Sequence, residues 1–387
     1  MWMKEKVLVT GGAGFIGSHL VDALLQAGHS VRVLDNLEPQ VHGGLRERGQ
    51  VPDYLNPEAE FILGDIRDRD CVTRALEGID VVFHEAAMVG VGQSMYEIAR
   101  YTGVNTQGAA VLLQAVVDSK NRPRKLVVAS SMSIYGEGAY DCPVHGRVFP
   151  SLRSLEQLTA QDWEMYCPLP GCGRHVFPYP TAEDKPLYPT SIYAINKRDH
   201  EEMFLAVGRA YNIPTVALRY FNVYGSRQAL SNPYTGVAAI FSSRLLNGKP
   251  PVIFEDGCQA RDFVHISDIV QANLLAMACE EADYGVFNVG TGRPHTILEV
   301  AQILSKHFER VCPNGTAPNP PEIARRFRAG DIRHCFPDIS RLGDLGYLPQ
   351  VYFEDGVEEL FEWIVQQTAV DAFEIARQEL SCRGLTS

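Results

Sequence analysis

The sequence contains no apolar run that approaches the length of a transmembrane helix, about 20 residues. Its first residues, "MWMKEK", lead directly into the strand-like "VLVT" without the apolar core of a signal peptide. Internal repeats, coiled-coil heptads and low-complexity tracts are also absent. These absences exclude integral-membrane, fibrous and repeat proteins. A hydrophobic fraction of 45% with a charged fraction of 21% is typical of a soluble globular protein.

Positive charge is scarce. The chain has 35 lysines and arginines against 47 aspartates and glutamates, and its formal net charge is −12. An acidic chain is repelled by phosphate backbones and by anionic lipid surfaces, so we expect no nucleic-acid partner and no membrane partner. An anionic small molecule is compatible with this charge if arginines are concentrated around it.

Cysteines number nine, an odd count spread over 387 residues. This is not the pattern of a secreted disulfide framework, and we therefore expect a cytoplasmic protein. At this length the chain can form two lobes, or one large α/β domain with an appended lobe.

Short apolar runs rich in Val, Ile and Leu alternate with segments of helical periodicity. The predicted strands are Lys6–Thr10, Val31–Asp35, Phe61–Asp65, Val81–Ala87, Lys125–Ser131 and Thr215–Phe221. The predicted helices between them are Phe15–Ala27, Asp68–Glu77, Ala109–Ser119 and Tyr193–Tyr211. Continuous apolar runs fit strands that are buried on both faces, so the pattern predicts an α/β fold with a doubly wound parallel sheet.

Beyond about residue 225 the alternation loosens, and Pro and Gly separate shorter elements. We predict a sheet domain over residues 1–225 and a smaller C-terminal α/β lobe over 226–387, with some exchange of segments between them. Helices of this lobe are predicted at Val237–Leu246, Asp268–Cys279 and Ile297–Phe308. Residues 137–189, which we call the flap, contain eight prolines and little periodicity. An irregular connection of that length is usually functional or separately stabilised.

The stretch "VTGGAGFIGSHL" carries Gly11, Gly14 and Gly17 between the first predicted strand and a helix. Glycines there permit a tight turn and a close backbone approach, and the helix N-terminus then faces a pyrophosphate. Asp35 follows 24 positions after Gly11, at the end of the second strand, where a carboxylate accepts hydrogen bonds from a ribose and repels a 2′-phosphate. The pattern predicts a Rossmann-type domain that binds NAD rather than NADP. The alternative is a glycine-rich turn followed by a solvated aspartate.

The stretch "YAINK" places Tyr193 and Lys197 four positions apart, on one face of a helix. A lysine ammonium beside a phenol lowers the phenol's pKa and makes the tyrosine usable as a base. Alone, such a pair is an ordinary feature of a helix surface. The catalytic interpretation of this pair is supported by "SSMSIYG", Ser130–Gly136, which follows a strand whose end should open onto the same crevice.

With these motifs the chain resembles the extended short-chain dehydrogenase/reductase family, and within it the nucleotide-sugar epimerases and dehydratases. The resemblance runs from about residue 6 to about residue 365 and is interrupted by the flap. Its motifs, in order, are "TGGAGFIGSHL", "DN", "GDIRD", "HEAA", "SSMSIYG", "YAINK", "RYFNVYG", "RDFVHISD", "FNVGTG" and "RAGDIRH".

The resemblance implies roles for particular residues. Tyr193 would be the catalytic base, with Lys197 as its partner and Ser131 as the third member of the triad. Residues implied for NAD binding are Gly11, Gly14, Phe15, Ile16, Gly17, Asp35, Asn36, Asp65, Ile66, Ala86, Ala87 and Asn105, besides Tyr193 and Lys197. Residues implied for the sugar nucleotide are Ser133, Asn222, Arg261, Arg328 and Asp331. For Arg328, a solvated residue of the run "RRFR" is a strong alternative.

Members of this family diverge after the oxidation of the sugar at C4. In the 4,6-dehydratases the two positions after the triad serine or threonine are typically Asp and Glu, whereas here they are Met132 and Ser133. Methionine cannot transfer a proton, so we predict a 4-epimerase acting on a UDP- or dTDP-hexose. The alternatives are a decarboxylase or dehydratase of the same family, and a non-catalytic NAD-binding protein. The resemblance also implies a homodimer through the helices Ala109–Ser119 and Tyr193–Tyr211.

The flap carries two cysteine-containing stretches, "CPVHG" and "CPLPGCG". Cys142 and His145 are three positions apart, and Cys167 and Cys172 are five apart. Three thiolates and one imidazole would complete a tetrahedral zinc site with no open position, which is the structural pattern. The five-residue spacing is looser than in most zinc knuckles, so free cysteines are an alternative. A disulfide from Cys142 to Cys167 or Cys172 is a second one, disfavoured by a reducing compartment.

Overall fold

The computed structural model describes residues 4–312, 320–328 and 330–386. Its strands, in chain order, are β1 Lys6–Thr10, β2 Ser30–Asp35, β3 Glu60–Leu63, β4 Val81–His84, β5 Lys125–Ser131, β6 Ala139–Cys142, β7 Gly146–Val148, β8 Phe177–Tyr179, β9 Thr215–Tyr220, β10 Asn222–Tyr224, β11 Val252–Ile253, β12 Ala260–His265, β13 Val286–Val289, β14 Pro294–Thr296, β15 Glu322–Ile323 and β16 His334–Cys335.

The α-helices, in chain order, are α1 Phe15–Gln26, α2 Pro39–His42, α3 Arg69–Ala75, α4 Val91–Ser94, α5 Ile98–Thr102, α6 Gly108–Asp118, α7 Leu155–Thr159, α8 Ile192–Tyr211, α9 Val237–Leu246, α10 Ile266–Ala278, α11 Ile297–Val311, α12 Ser340–Gly343, α13 Phe353–Ile364 and α14 Phe373–Cys382. A π-helical turn, Gly103–Gln107, joins α5 to α6, and a 3₁₀ turn, Met132–Tyr135, follows β5. No helix in the described ranges is long and apolar enough to cross a bilayer.

Seven parallel strands form the main sheet, in the order β13-β9-β5-β4-β1-β2-β3. Alternate residues of β1 enter separate cores on the two faces of this sheet. Val7 and Val9 pack with α1 and α10 on one face, and Leu8 packs with α3, α6 and α8 on the other. Each fully buried side chain of this size contributes about 1.5 to 3 kcal/mol. The predicted α/β fold with a Rossmann-type doubly wound parallel sheet is confirmed.

The seventh strand, β13, comes from far along the chain and pairs with β9. Helix α10 packs its Ile269 and Ala272 against Leu20 and Leu24 of α1. Both elements lie beyond residue 225, so segments of the C-terminal part complete the main sheet layer. The division at residue 225 itself stays a prediction.

A second group of elements forms a smaller α/β unit beside the sheet. Strand β12 pairs with β10 and β16 in parallel and with β14 antiparallel. A separate apolar core joins these strands to α9, α11 and α13, with Phe263, Phe353 and Phe361 at its centre. Residues of this unit line one end of the cavity described below.

The flap contains its own small sheet, in which β6 lies between β7 and β8 with antiparallel pairing on both sides. Its apolar core is small and consists of Tyr140, Val148, Met165 and Val176 together with the flap cysteines. The flap is therefore ordered by more than burial of apolar side chains, as its composition indicates.

Candidate active site

The parallel strands of the main sheet end at one edge, where they border a cavity of about 610 Å³. In a doubly wound sheet this edge is where ligands bind. Residues from the ends of five strands line it, namely Gly11, Asp35, Glu85, Ser131 and Phe221. Its far wall is formed by residues of the smaller unit and by α14.

The glycine turn after β1 leaves no room for side chains. Gly11 has φ +72°, and a Cβ on it would come within 2.7 Å of the backbone nitrogen of Ala86. A Cβ on Gly17 would overlap the carbonyl oxygen of Gly11. Helix α1 begins directly after Gly14, and no side chain caps its N-terminus. This arrangement is a cradle in which backbone donors and the positive end of a helix can meet a pyrophosphate.

Asp35 is tied to the same turn. Its carboxylate accepts hydrogen bonds from the backbone N–H of Ala13 at 3.0 Å and of Leu37 at 2.9 Å. Burial raises the pKa of this carboxyl. Two acceptor atoms are thus held at the cavity edge where the ribose of an adenine dinucleotide belongs.

Most of the predicted NAD-binding residues line the cavity. They are Gly11, Gly14, Phe15, Ile16, Gly17, Asp35, Asn36, Ile66, Ala86, Ala87, Tyr193 and Lys197. Asp65 does not line it. Arg67 holds its carboxylate at 2.7 Å and 2.8 Å and lowers its pKa to about 2. Asn105 lies behind the wall, where its amide exchanges two hydrogen bonds with the backbone of Met88, at 2.8 Å and 3.1 Å.

Helix α8 and strand β5 bring the three triad residues to the cavity. Ser191 caps α8 by accepting from the backbone N–H of Ala194 at 3.1 Å. The Lys197 ammonium donates to the Ala129 carbonyl at 2.8 Å, which fixes its position beside β5. The Ser133 hydroxyl lies 2.9 Å from that of Ser131, which interacts with the Tyr193 phenol.

Burial raises the pKa of Tyr193 to about 12, and the Ser131 hydroxyl opposes this only in part. The expected lowering of the phenol pKa by Lys197 is therefore not found in this structure, because desolvation dominates. Burial lowers the pKa of Lys197 to about 8, against the attraction of Glu85.

Glu85 is a half-buried carboxyl at the cavity that the sequence analysis did not single out. Burial raises its pKa to about 7, while the Tyr220 hydroxyl, donating at 2.9 Å, and the Lys197 charge lower it. A signal was present, since "HEAA" places one acid at the end of an apolar strand. A charge-bearing residue at such a strand end is a candidate for function.

Three side-chain oxygens beside the cavity, at the end formed by the smaller unit, lack hydrogen-bond partners among the described residues. Asn222 Oδ1, Gln228 Oε1 and Gln259 Oε1 are buried, and among the described residues none has a hydrogen-bond partner. All three residues line the cavity. Buried polar atoms are normally satisfied, so these three oxygens are exceptions that lie behind the cavity surface. Asn222 was predicted, whereas the two glutamines were missed because nothing in their sequence context sets them apart.

The predicted arginines lie at the same end. Arg261 donates to the backbone carbonyls of Ile332 at 2.6 Å and Arg333 at 2.9 Å. It has no carboxylate partner within the part of the chain that the structure describes. Arg328 forms an ion pair with Asp331 at 2.8 Å. Ser133, Asn222, Arg261, Arg328 and Asp331 all line the cavity. Arg261 is thus the better placed of the two cations for an anionic ligand.

The four predicted metal ligands lie together in the flap, outside the cavity lining. The ligand atoms of Cys142, His145, Cys167 and Cys172 are within 4.8 Å of one another. All nine cysteines lie within the described ranges, and none of them is in a disulfide.

Comparison with known proteins agrees with this geometry. The model of the NAD dependent epimerase/dehydratase family matches residues 7–150 and 171–290, so residues 151–170 of the flap lie outside the match. The dTDP-L-rhamnose 4-epimerase of Burkholderia thailandensis is 34% identical over 366 residues, which cover 94% of this chain and 96% of that protein.

Two solved structures have the same fold. The UDP-glucose 4-epimerase of Thermotoga maritima, solved with UDP-glucose, has a TM-score of 0.69 and 31% identity, with 93% of this chain and 99% of that chain covered. The UDP-glucose 4-epimerase of Thermus thermophilus, solved in complex with NAD, has a TM-score of 0.71 and 30% identity, with coverage of 94% and 100%. The chain belongs to the NAD-dependent epimerase/dehydratase family.

Proposed function

We propose that this protein is an NAD-dependent nucleotide-sugar 4-epimerase, which inverts the C4 hydroxyl of a UDP- or dTDP-hexose through a 4-keto intermediate. The observation that carries the proposal is the meeting of Ser131, Tyr193 and Lys197 with the glycine cradle in one cavity. The epimerases among the proteins similar to it, acting on dTDP-L-rhamnose and on UDP-glucose, support the same reaction.

The cofactor end of the cavity fits NAD. The cradle at Gly11 and Gly17, where any Cβ meets backbone atoms, suits a pyrophosphate. The fixed carboxylate of Asp35 suits an unphosphorylated ribose. When bound, NAD would supply the hydride acceptor for C4 of the sugar and the donor for its return to the opposite face, and its oxidised nicotinamide ring would place a positive charge in the cavity.

Tyr193 acts as the base that accepts the proton of the C4 hydroxyl and later returns it. A phenol of pKa near 12 is protonated at neutral pH, so its anionic form requires positive charge close by. Lys197 supplies one such charge and is held at the Ala129 carbonyl. The Ser131 hydroxyl hydrogen-bonds the C4 oxygen and stabilises the charge that develops there.

The side chains beside Ser131 favour epimerisation over elimination or decarboxylation. Met132 and Ser133 line the cavity where the dehydratases carry an acid pair. A thioether has no proton to give, so the ketone has no partner for loss of water at this position. The ketone therefore turns over and is reduced on its other face.

The substrate end fits a sugar nucleotide. Asn222, Gln228 and Gln259 line this end with amide side chains, and Arg261 offers a cation without a carboxylate partner among the described residues for a diphosphate. We further propose a homodimer through α6 and α8, on which Ala110, Ile195 and Ala206 are exposed. A cytoplasmic location is supported by the free thiols of all nine cysteines.

The test is turnover of purified protein on a panel of UDP- and dTDP-hexoses without added reductant. Formation of the C4 epimer, with no change in sugar mass, supports the proposal. Net NADH production with stoichiometric product contradicts it and favours a dehydrogenase. A sugar product lighter by water or carbon dioxide favours a dehydratase or decarboxylase.

A further inference from the structure

The flap holds a cluster of thiols and one imidazole that the proposed chemistry does not use. Cys142 ends β6 and His145 precedes β7, and the antiparallel pair of Cys142 with Gly146 closes the turn between them. Gly146 has φ +68°, a conformation that side chains rarely adopt. The turn therefore holds two potential ligands on one side of a tight hairpin.

The second pair of potential ligands, Cys167 and Cys172, lies in a loop that folds back on itself. The backbone N–H of Cys167 donates to the carbonyl of Arg174 at 2.9 Å, and that of Cys172 donates to Leu169 at 3.2 Å. Gly171 and Gly173 both have positive φ. These two turns face each other across the small flap core, with Cys142 and Cys167 buried in it.

The distances within the cluster match a tetrahedral zinc site. With zinc bonds of about 2.3 Å to sulfur and about 2.05 Å to nitrogen, tetrahedral angles place two sulfurs about 3.8 Å apart and a sulfur and a nitrogen about 3.6 Å apart. Cys142 Sγ lies 3.8 Å from Cys172 Sγ. His145 Nδ1 lies 3.5 Å from the sulfurs of both Cys142 and Cys167. A disulfide would instead require about 2.05 Å between two sulfurs.

We propose that Cys142, His145, Cys167 and Cys172 bind one zinc ion in a closed structural site. Three thiolates and the Nδ1 atom of the imidazole fill all four positions, so no position remains for water or substrate. The ion orders the flap, because its apolar core is too small to do so and the free energy of metal binding adds directly to folding.

One flap residue connects this site to the wall of the substrate cavity. Arg153 lies between the two turns in sequence and donates two hydrogen bonds to Glu255, each at 2.8 Å, with both side chains buried. It also donates to the backbone carbonyl of Asp331 at 3.4 Å. Asp331 lines the cavity, as does Phe254, the neighbour of Glu255.

A second arginine also connects the flap to this wall of the cavity. Arg333 contacts Glu255 at 3.2 Å and Asp256 at 2.6 Å and 2.9 Å, and its backbone N–H donates to Glu137 at the start of the flap at 2.7 Å. Unpairing a buried charge is strongly unfavourable, so the flap and this wall move together. The zinc ion therefore acts on the substrate end of the cavity, while the glycine cradle on the main sheet is independent of it.

The first experiment measures metal content in protein purified without chelator and without added zinc. We expect about one zinc per chain in the wild-type protein and in the control Cys382→Ser, and less than about a tenth in Cys167→Ser. Cys382 is an exposed cysteine outside the flap. Wild-type protein with less than about a tenth of a zinc per chain overturns the proposal, and so does Cys167→Ser that retains a full equivalent.

A second measurement covers the case in which Cys167→Ser does not fold. Wild-type protein produced with cobalt in place of zinc should show thiolate-to-cobalt charge-transfer bands and the visible bands of a tetrahedral ion. A spectrum of octahedral cobalt without thiolate bands overturns the assignment of the ligands. Both metal measurements are independent of turnover, so they stand if the proposed function fails.

The effect on the cavity rests on the proposed function and is tested separately. Removal of the zinc with a mercurial reagent and a chelator should raise KM for the sugar nucleotide about tenfold or more, because the substrate wall shifts. The content of bound NAD should stay unchanged. Loss of NAD in step with zinc, or an unchanged KM, contradicts the connection through Arg153.

Discussion

The cofactor end of the cavity and the flap are stabilised in different ways. The glycine turn and Asp35 lie on strands that are buried on both faces, between two apolar cores. The flap has a small core and depends on buried ion pairs and, as we propose, on zinc. In this chain the main sheet therefore stabilises the cofactor end, whereas the flap has its own stabilisation.

The comparison is sharpened first at Tyr193, which lines the cavity on α8. Tyr193→Phe should lower kcat at least about a thousandfold, because the base is lost while the ring still packs. Bound NAD and zinc content should not change. The matched control is Tyr211→Phe on the same helix, at an exposed ring, which should leave turnover as it is. Unchanged activity of Tyr193→Phe would reopen the non-catalytic interpretation.

Breaking the buried ion pair of the flap should have the next largest effect. Arg153→Met leaves Glu255 without its bidentate partner and should lower the free energy of unfolding by about 3 to 5 kcal/mol, measured in urea. KM for the sugar nucleotide should rise while bound NAD stays constant. The control Arg147→Met removes an exposed flap ion pair with Asp141 and should change stability by less than about 1 kcal/mol. Equal losses of unfolding free energy in Arg153→Met and Arg147→Met would contradict a larger contribution from the buried ion pair than from the exposed one.

A variant at the cofactor end of the cavity should have the opposite selectivity, with loss of NAD and no loss of zinc. Gly17→Ala places a methyl group against the carbonyl oxygen of Gly11, so the turn must open. We expect a loss of about 2 to 3 kcal/mol in stability and loss of copurifying NAD, with zinc content unchanged. Gly343→Ala is the control, because a Cβ there meets nothing within 4 Å. Full NAD content in Gly17→Ala would show that NAD binding does not require the tight glycine turn.

The last variant acts through pH. Burial raises the pKa of Glu85 from 4.5 to about 7, so its contribution to stability is present below pH 4.5 and is lost as the pH rises to about 7. Over that window Glu85→Gln should remove about 3 kcal/mol of pH dependence from the unfolding free energy of NAD-free protein. Glu58→Gln, at an exposed site, should leave the profile as in the wild type. Parallel profiles for Glu85→Gln and the wild-type protein would be inconsistent with the raised pKa.

Elements with strong local patterns could be predicted closely from the sequence. Strand β5 and helix α9 have the predicted bounds, Lys125–Ser131 and Val237–Leu246. Strand β13 was not predicted, because its four residues carry no period and are placed only by pairing with β9. The sheet of the flap was missed for the same reason, since β7 and β8 have three residues each.

The sequence by itself determined the cofactor end, because spacing along one strand, turn and helix is enough to place Gly11, Gly17 and Asp35. It also determined which four flap residues can share a metal. Only the tertiary structure decided the burial that raises the pKa of Tyr193, the unpaired acceptors at Gln228 and Gln259, and the link from Arg153 to Glu255. Desolvation and long-range pairing depend on neighbours that are distant in the chain, and no local pattern encodes them.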